Sequence, residues 1–313
     1  MNEIAKNQPT MKAQRIHAFG GPEELLYEDA PKPIAKDGEV LVRIHASAIN
    51  PADWKMRAGM FGKKFALPLI LGNDFSGVVE ELGPGTSIWK VGDEVFGYAL
   101  GAYAEYIAVP EKQLAPKPKK LDHIHSAALA SASLTAWRAL FDTGGLKADQ
   151  KVLIHGGTGG VGGYAVQLAH AKGAFVYATA SKKNQDYLLK LGADVAIDYE
   201  SDRFEDVVKD VDLVLDTQGG DTQARSWKTL RRGGLLLSIV QPPSTEEAEA
   251  HGVKSAFVLN SMNAEALATI ASMADGGKIK VTVDTILPLI DARQGQEMIE
   301  TGHTRGKIAL RVV

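Results

Sequence analysis

Residues 152–184 read VLIHGGTGGVGGYAVQLAHAKGAFVYATASKKN. An apolar run enters a cluster of six glycines, and small and apolar residues at helical spacing follow it. A second apolar, β-branched run, FVYATA, comes next and leads into two lysines. Strand, glycine turn, helix and strand in that order make a βαβ unit, whose parallel return requires the helical crossover. Gly157, Gly159 and Gly162 fit G-x-G-x-x-G, at the strand-to-helix junction where that spacing has a physical meaning. The first glycine is expected to permit the tight turn. The second leaves room for a pyrophosphate to approach the backbone, and the third lets helix and strand pack closely. Free N–H groups and the helix dipole favour that anion at the helix start. Residues 157–162, Thr158 included, are therefore the predicted pyrophosphate loop.

The end of the second strand bears on which dinucleotide binds. An acid about twenty residues after the glycines bonds a ribose 2′-hydroxyl. Here the strand ends Thr179-Ala180-Ser181-Lys182-Lys183, and the next acid, Asp186, is expected on the following helix. A carboxylate would repel a 2′-phosphate. Ser181 can donate a hydrogen bond to one, and Lys182 or Lys183 can neutralise it. The pattern predicts NADP(H).

The alternation continues downstream. VAIDY, DLVLDTQ and GLLLSIV read as strands, and NQDYLLKLG, QARSWKTLRR and AEALATIASMADGG as helices. Upstream, EVLVRIHASAI, FSGVVEELG, KVGDEVFGYA and GAYAEYIAVP are short strand-like runs punctuated by Gly, Pro and Asp. They suggest a compact, partly barrel-like β domain. HSAALASASLTAWRALFDTG has helical spacing, and TVDTILPLI and GKIALRVV look like strands that return to the first domain. The fold class is α/β, a β-rich domain joined to a doubly wound parallel sheet.

Composition removes several functions. The 313 residues include no cysteine, which excludes disulfides, thiol catalysis and cysteine-held metals. A net charge of −3 gives no general affinity for nucleic-acid backbones. No apolar run is long enough to span a membrane. MNEIAKNQPT lacks the apolar core of a signal peptide, so a cytoplasmic location is expected.

Several blocks together resemble the medium-chain dehydrogenase/reductase superfamily. They are ASAINPADWKMRAG, LPLILGNDFSGVVEELGPGT, KVGDEVFG, GAYAEYIAVP, SASLTAWRAL, VLIHGGTGGVG, LLKLGADVAIDY and HTRGKIALRVV. The similarity runs from about Met11 to Val313, and it is strongest to the zinc-free quinone oxidoreductase (zeta-crystallin-like) and alkenal/enone reductase branch. It implies a GroES-like catalytic domain at 11–133 and 284–313, a Rossmann domain at 134–283 with the cofactor in the cleft between them, and a flexible extension at 1–10. It also implies a homodimer.

Zinc-dependent relatives place ligands in the segments that read AINPAD, LGNDFSG and the stretch before LTAW. This chain has Asn50, Asn73 with Asp74, and Ser131 there. Asparagine and serine are poor zinc ligands beside thiolate and imidazole, and His123 and His125 read as surface or core histidines. No metal is expected. Without a metal to polarise an alkoxide, the site suits an acceptor that is already electrophilic, a quinone or an α,β-unsaturated carbonyl. Its developing oxyanion needs hydrogen-bond donors and a proton from water. Asn50 offers an amide donor, Lys55 and Thr135 resemble cofactor contacts near the nicotinamide half, and Tyr103 is a candidate to close over the acceptor. The resemblance adds Gly160 and Val161 as backbone contacts to the pyrophosphate, Tyr199 at the adenine edge, and Val240, Phe257, Val258 and Leu259 beside the nicotinamide. The expected function is NADPH-dependent quinone reduction. Its alternatives are reduction of the C=C bond of alkenals or enones, and a non-enzymatic NADP-binding role. The missing ligands argue against an alcohol dehydrogenase.

Overall fold

The structure is a computed structural model that describes residues 9–62, 65–302 and 304–313. Its chain contacts divide it into two units. One holds the residues up to Ser131 together with Met262–Asp275 and Val281–Val313, and the other holds Ala132–Ser261 and Gly276–Lys280. Most of the predicted N-terminal extension lies outside the described residues, and its last residue, Thr10, already begins a strand.

In chain order the first unit contributes β1 (Thr10–Ile16), β2 (Leu26–Pro31), β3 (Glu39–Ile49), α1 (Pro51–Arg57), β4 (Leu69–Ile70), β5 (Asp74–Leu82), β6 (Glu94–Tyr98), β7 (Tyr106–Pro110) and β8 (Leu114–Pro116). The helix α2 (His123–Trp137) passes from the first unit into the second and ends in a π-helical segment, Arg138–Thr143. The second unit carries β9 (Lys151–Ile154), α3 (Gly160–Lys172), β10 (Phe175–Ala180), α4 (Gln185–Lys190), β11 (Val195–Asp198), α5 (Phe204–Val207), β12 (Val211–Asp216), α6 (Gly220–Ser226), β13 (Leu230–Ser238), α7 (Thr245–Ala250) and β14 (Lys254–Phe257). The chain then returns to the first unit with α8 (Ala264–Asp275), β15 (Val283–Pro288), α9 (Ala292–Glu300) and β16 (Lys307–Arg311).

The second unit is a six-stranded sheet in the order β11-β10-β9-β12-β13-β14, with every pairing parallel. Counted from β9 this is the 3-2-1-4-5-6 order of a Rossmann sheet. Its topological switch falls between β9 and β12, where ligands bind beyond the strand ends. The central strands read as continuous apolar runs because helices cover both faces; Leu153, Val214 and Leu236 are fully buried. One sequence expectation needs correcting. QARSWKTLRR is not all helix: α6 ends in a short 3-10 turn, Trp227–Thr229, and Leu230, Arg231 and Arg232 already belong to β13.

The first unit is built on β3, eleven residues long and predominantly apolar. Its N-terminal half pairs with β7, its C-terminal half with β16, and β5 runs antiparallel along most of its length. The returning C-terminal segment thus joins this sheet. The helix α8 packs on β8 and falls in this unit, whereas the sequence reading places those residues in the nucleotide domain. Val40, Val42, Ile44, Phe75 and Val95 form one core of this sheet; Ile16, Ile49, Leu71, Tyr103 and Ile308 form another at the end where β3 gives way to α1.

Candidate functional site

The glycine-rich loop rises from β9. His155 N donates to Leu215 O of β12, and Gly157 N donates to Thr179 O of β10, so both neighbouring strands hold the loop. Thr179 Oγ1 also accepts from Gly156 N. The tight turn belongs to Gly156, with φ +61°, and not to Gly157 as the sequence reading has it. Gly157 is needed for space: a Cβ there would lie 2.7 Å from Leu188 Cδ1 and 3.0 Å from Ala178 Cβ. At Gly162 a Cβ would lie 2.2 Å from Gly156 O, so only glycine lets α3 start against the loop. At Gly159 the nearest atom would be Gly156 O at 3.4 Å. That position is open, which fits the close approach of a pyrophosphate. Gly159 caps α3 without a side chain, leaving the first amides of the helix, at Gly160, Val161 and Gly162, free of a side-chain cap. The residues present fit a dinucleotide.

Beside the loop, β10 ends at Ala180. Ser181 is half-buried, and Lys182 and Lys183 are exposed in a 3-10 turn before α4, whose first turn carries Asp186. Ser181 Oγ accepts from Asn184 Nδ2 at 3.1 Å. Tyr199 is exposed, and its N–H reaches Ala180 O, so it stands beside the same strand end. Val258 N donates to Ser238 O and Val240 N to Ser238 Oγ, which gathers Val240 and Phe257–Leu259 at the ends of β13 and β14. Thr135 is buried near the end of α2.

Two buried groups near the switch point escaped the sequence reading. Asp216 ends β12 with no exposure and accepts from Gln218 N, Gly219 N, Gln223 Nε2 and Ser238 Oγ. An aspartate followed by Thr-Gln-Gly-Gly at a strand end was a visible turn signal. His155 Nε2 donates to Ser226 Oγ, whose own proton goes to Thr222 O. Burial holds His155 down to about 4, the main cause, so it is neutral at physiological pH.

The second cluster lies in the first unit, where β3 ends, β5 starts and β16 starts. Register places Ala48 opposite Asp74 and Ile49 opposite Ile308, which brings Asn50, Asp74 and Lys307 to one edge. Pro51 at the first position of α1 and Asp53 at the third are helix-start signals. Asp53 accepts from Asn50 N, from Asn73 Nδ2 and from the Tyr103 hydroxyl, each at 2.8 Å. Asp74 accepts from Asn50 Nδ2 at 3.0 Å, from Ser131 N at 2.9 Å and from Lys307 Nζ at 3.2 Å. Lys307 Nζ also donates to Ile49 O and to Asn50 Oδ1. Both carboxylates are fully buried. Burial pushes Asp53 up to about 6, against the three hydrogen bonds it receives. Burial also raises Asp74, with the Lys307 ammonium opposing the rise. Tyr98, close by, is pushed up to about 12, first by burial and then by the two carboxylates.

Tyr103 does not fit its expected role of closing over the acceptor. Its ring is fully buried and packs on Gly72, where a Cβ would lie 2.0 Å from the ring, and its hydroxyl is committed to Asp53. Lys55 is half-buried on α1 outside this network, its Nζ 5.7 Å from the Trp54 ring centroid. Among the described residues no three His, Asp or Glu side chains gather as metal ligands. His123 stacks at a tilt on His45 and bonds Ser76 Oγ.

Comparison with known proteins agrees with this layout. The family model for the alcohol dehydrogenase GroES-like domain matches residues 36–119, and one described as zinc-binding dehydrogenase matches residues 191–310. The quinone oxidoreductase of Mus musculus is 31% identical over 98% of this chain and 99% of its own. The 2-methylene-furan-3-one reductase of Solanum lycopersicum is 35% identical over 97% of this chain and 79% of its own. The chain belongs to the medium-chain dehydrogenase/reductase superfamily. The quinone oxidoreductase structure from Coxiella burnetii superposes with a TM-score of 0.91 at 35% identity, covering 97% of this chain and all of that one. A mycobacterial protein solved with NADPH gives 0.87 at 29% identity, covering 96% and all of that chain. As a member of this superfamily the protein is an NAD(P)H-dependent oxidoreductase with a GroES-like domain and a Rossmann domain. Among the described residues no helix is long and apolar enough to cross a membrane.

Proposed function

We propose that this oxidoreductase uses NADPH to reduce quinones without zinc. The observation that carries the reading is the polar cluster. Where zinc-dependent relatives are expected to place metal ligands, this chain has two amides and a carboxylate, and that carboxylate is already paired with the Lys307 ammonium. Such a set supplies hydrogen-bond donors to an oxygen, not a vacant coordination sphere.

When bound, NADPH supplies the hydride and leaves as NADP⁺. The residues expected to hold it are 157–162 at the pyrophosphate, Ser181, Lys182 and Lys183 at the 2′-phosphate, and Tyr199 at the adenine. Thr135, Lys55, Val240 and Phe257–Leu259 serve the nicotinamide half. Asn50 donates to the carbonyl oxygen of the acceptor as negative charge gathers there. One hydrogen reaches the acceptor as hydride and water provides the other as a proton, so a quinone leaves as a hydroquinone. Tyr103 supports Asp53 from beneath.

A second reading, reduction of the C=C bond of enones, is favoured by the tomato relative, named for that kind of substrate. A screen of NADPH oxidation with 1,4-naphthoquinones and medium-chain 2-alkenals, with and without a strong chelator, separates the two. Quinone turnover that resists the chelator is expected; no turnover on either class sinks both readings. For the cofactor, Lys182→Ala is expected to weaken NADPH roughly tenfold and NADH little. Equal losses would remove Lys182 from the 2′-phosphate site. A cytoplasmic homodimer belongs to the same proposal, although a relative from Danio rerio is named mitochondrial. Sedimentation as a monomer would refute the dimer.

A further inference from the structure

An asparagine amide has a donating end and an accepting end, and its neighbours decide which faces inward. At Asn50 that decision is forced from two sides. Lys307 Nζ donates to Asn50 Oδ1, and an ammonium has no acceptor to offer. Asp74 Oδ2 accepts from Asn50 Nδ2, and a carboxylate has no donor. Turning the amide over would set N–H against ammonium and oxygen against carboxylate. One N–H of Asn50 stays uncommitted among the described residues. Asn73 repeats the arrangement more simply, with Nδ2 on Asp53 Oδ1 and, among the described residues, a second N–H left over.

The burial pattern separates supporters from presenters. Asp53 and Asp74 have no exposure and Lys307 has 3%, whereas Asn50 and Asn73 keep 8% and 7%. The charged groups therefore sit deeper than Asn50 and Asn73. In a medium of low dielectric constant the ammonium on Oδ1 also polarises the amide, which makes its free N–H a better donor. Stability alone is a weak explanation for Lys307 and Asp74, because apolar residues often replace a buried ion pair at no loss.

We infer that Lys307 is a positioning residue of the reductase site: together with Asp74 it locks the Asn50 amide with its oxygen inward and one N–H left for the carbonyl oxygen of the acceptor. The inference rests on the reading of Asn50 as the acceptor's donor. Lys307 acts as the fixed cation of the site, and it works through the amide without touching the substrate.

The test is the charge-balanced pair Lys307→Met with Asp74→Asn. It avoids a lone buried charge and frees the Asn50 amide to turn over. We expect a Tm within about 5 °C of wild type and an unchanged KM for NADPH, with quinone kcat lower by on the order of 10–100-fold. Lys307→Arg keeps a donor-only cation and is expected to retain most of the turnover that the pair loses. A second readout needs no substrate: the Asn50 side-chain ¹⁵N–¹H signals, assigned by their loss in Asn50→Ala, are expected to shift in the charge-balanced pair and to hold in Lys307→Arg. Wild-type kcat and unshifted Asn50 signals in the pair would overturn the inference. Should the pair not fold, Lys307→Arg decides: a loss as large as that of Asn50→Ala, with moved Asn50 signals, overturns it as well. Failure of the wild-type protein to reduce any acceptor sinks the proposed function instead, and the amide signals still report whether Lys307 sets the orientation.

Discussion

The glycine loop of the Rossmann unit and the polar cluster of the GroES-like unit are built in opposite ways. The loop is contiguous, 155–163, and offers backbone; at Gly156, Gly157 and Gly162 a Cβ would collide, while Gly159 stays open. The cluster offers side chains, and its members lie up to 257 positions apart in the chain. In the loop, one residue's volume decides function. In the cluster, each group's value depends on which partner it meets, since an unpaired buried carboxylate or ammonium is costly.

That contrast can be broken most directly at Gly162. Gly162→Ala places a Cβ 2.2 Å from a backbone carbonyl that cannot swing away. We expect a loss of about 3 kcal/mol, or a drop in Tm of about 6–12 °C, together with NADPH binding. A thermally normal Gly162→Ala would show that the loop is not space-limited. Asp53→Asn is the matching change in the cluster. It replaces one accepting oxygen by an NH2 donor that faces the donors Asn50 N and Tyr103 Oη or Asn73 Nδ2, at an expected cost of about 1–3 kcal/mol in chemical denaturation. Cofactor affinity is expected to stay as it was. Gly159→Ala should do the reverse. Its φ of −76° suits alanine and no atom is closer than 3.4 Å, so stability holds while NADPH weakens about tenfold, read by fluorescence titration.

The smallest expected effect is in pH, where the two regions carry opposite signs. His155 is held at about 4, below its ordinary 6.5, by burial first; Asp216 and Glu205 oppose the shift and Arg225 adds to it. Its stabilising contribution is present above pH 6.5 and is lost as pH falls toward 4. Asp53 is raised from 3.8 to about 6, so its contribution is present below 3.8 and is lost as pH rises through 6. Melting curves from pH 4 to 7 should therefore show the advantage of wild type over His155→Gln shrinking by a few degrees toward acid. The advantage over Asp53→Asn should shrink toward neutral pH. Parallel curves for either variant would mean that its group does not titrate differently in the fold.

Much of the loop is legible in the sequence alone. Strand, glycine spacing, helix and second strand are local patterns, and local sterics enforce them. Only the assignment of the turn shifted by one residue, from Gly157 to Gly156, because spacing does not distinguish a glycine that needs positive φ from one that needs an empty Cβ position. Tyr103 was misread for a related reason. An aromatic in a glycine-bounded loop looks the same whether it lids a cleft or fills a core, and only the bare face of Gly72 shows that it fills one. The Trp227–Thr229 boundary moved because a helical turn and a following strand share the run SWKTLRR.

By itself the sequence determined the Rossmann unit, its glycine-rich strand-to-helix loop and the absence of cysteine chemistry, because each depends on residue type at short spacing. Only the tertiary structure decided what stands behind Asn50. Lys307 in HTRGKIALRVV has no local mark that separates it from a surface lysine. It becomes the buried partner of Asp74 because β16 and β5 both pair with β3, and burial then leaves the ammonium nowhere to go but onto Asp74, Ile49 O and the amide oxygen of Asn50.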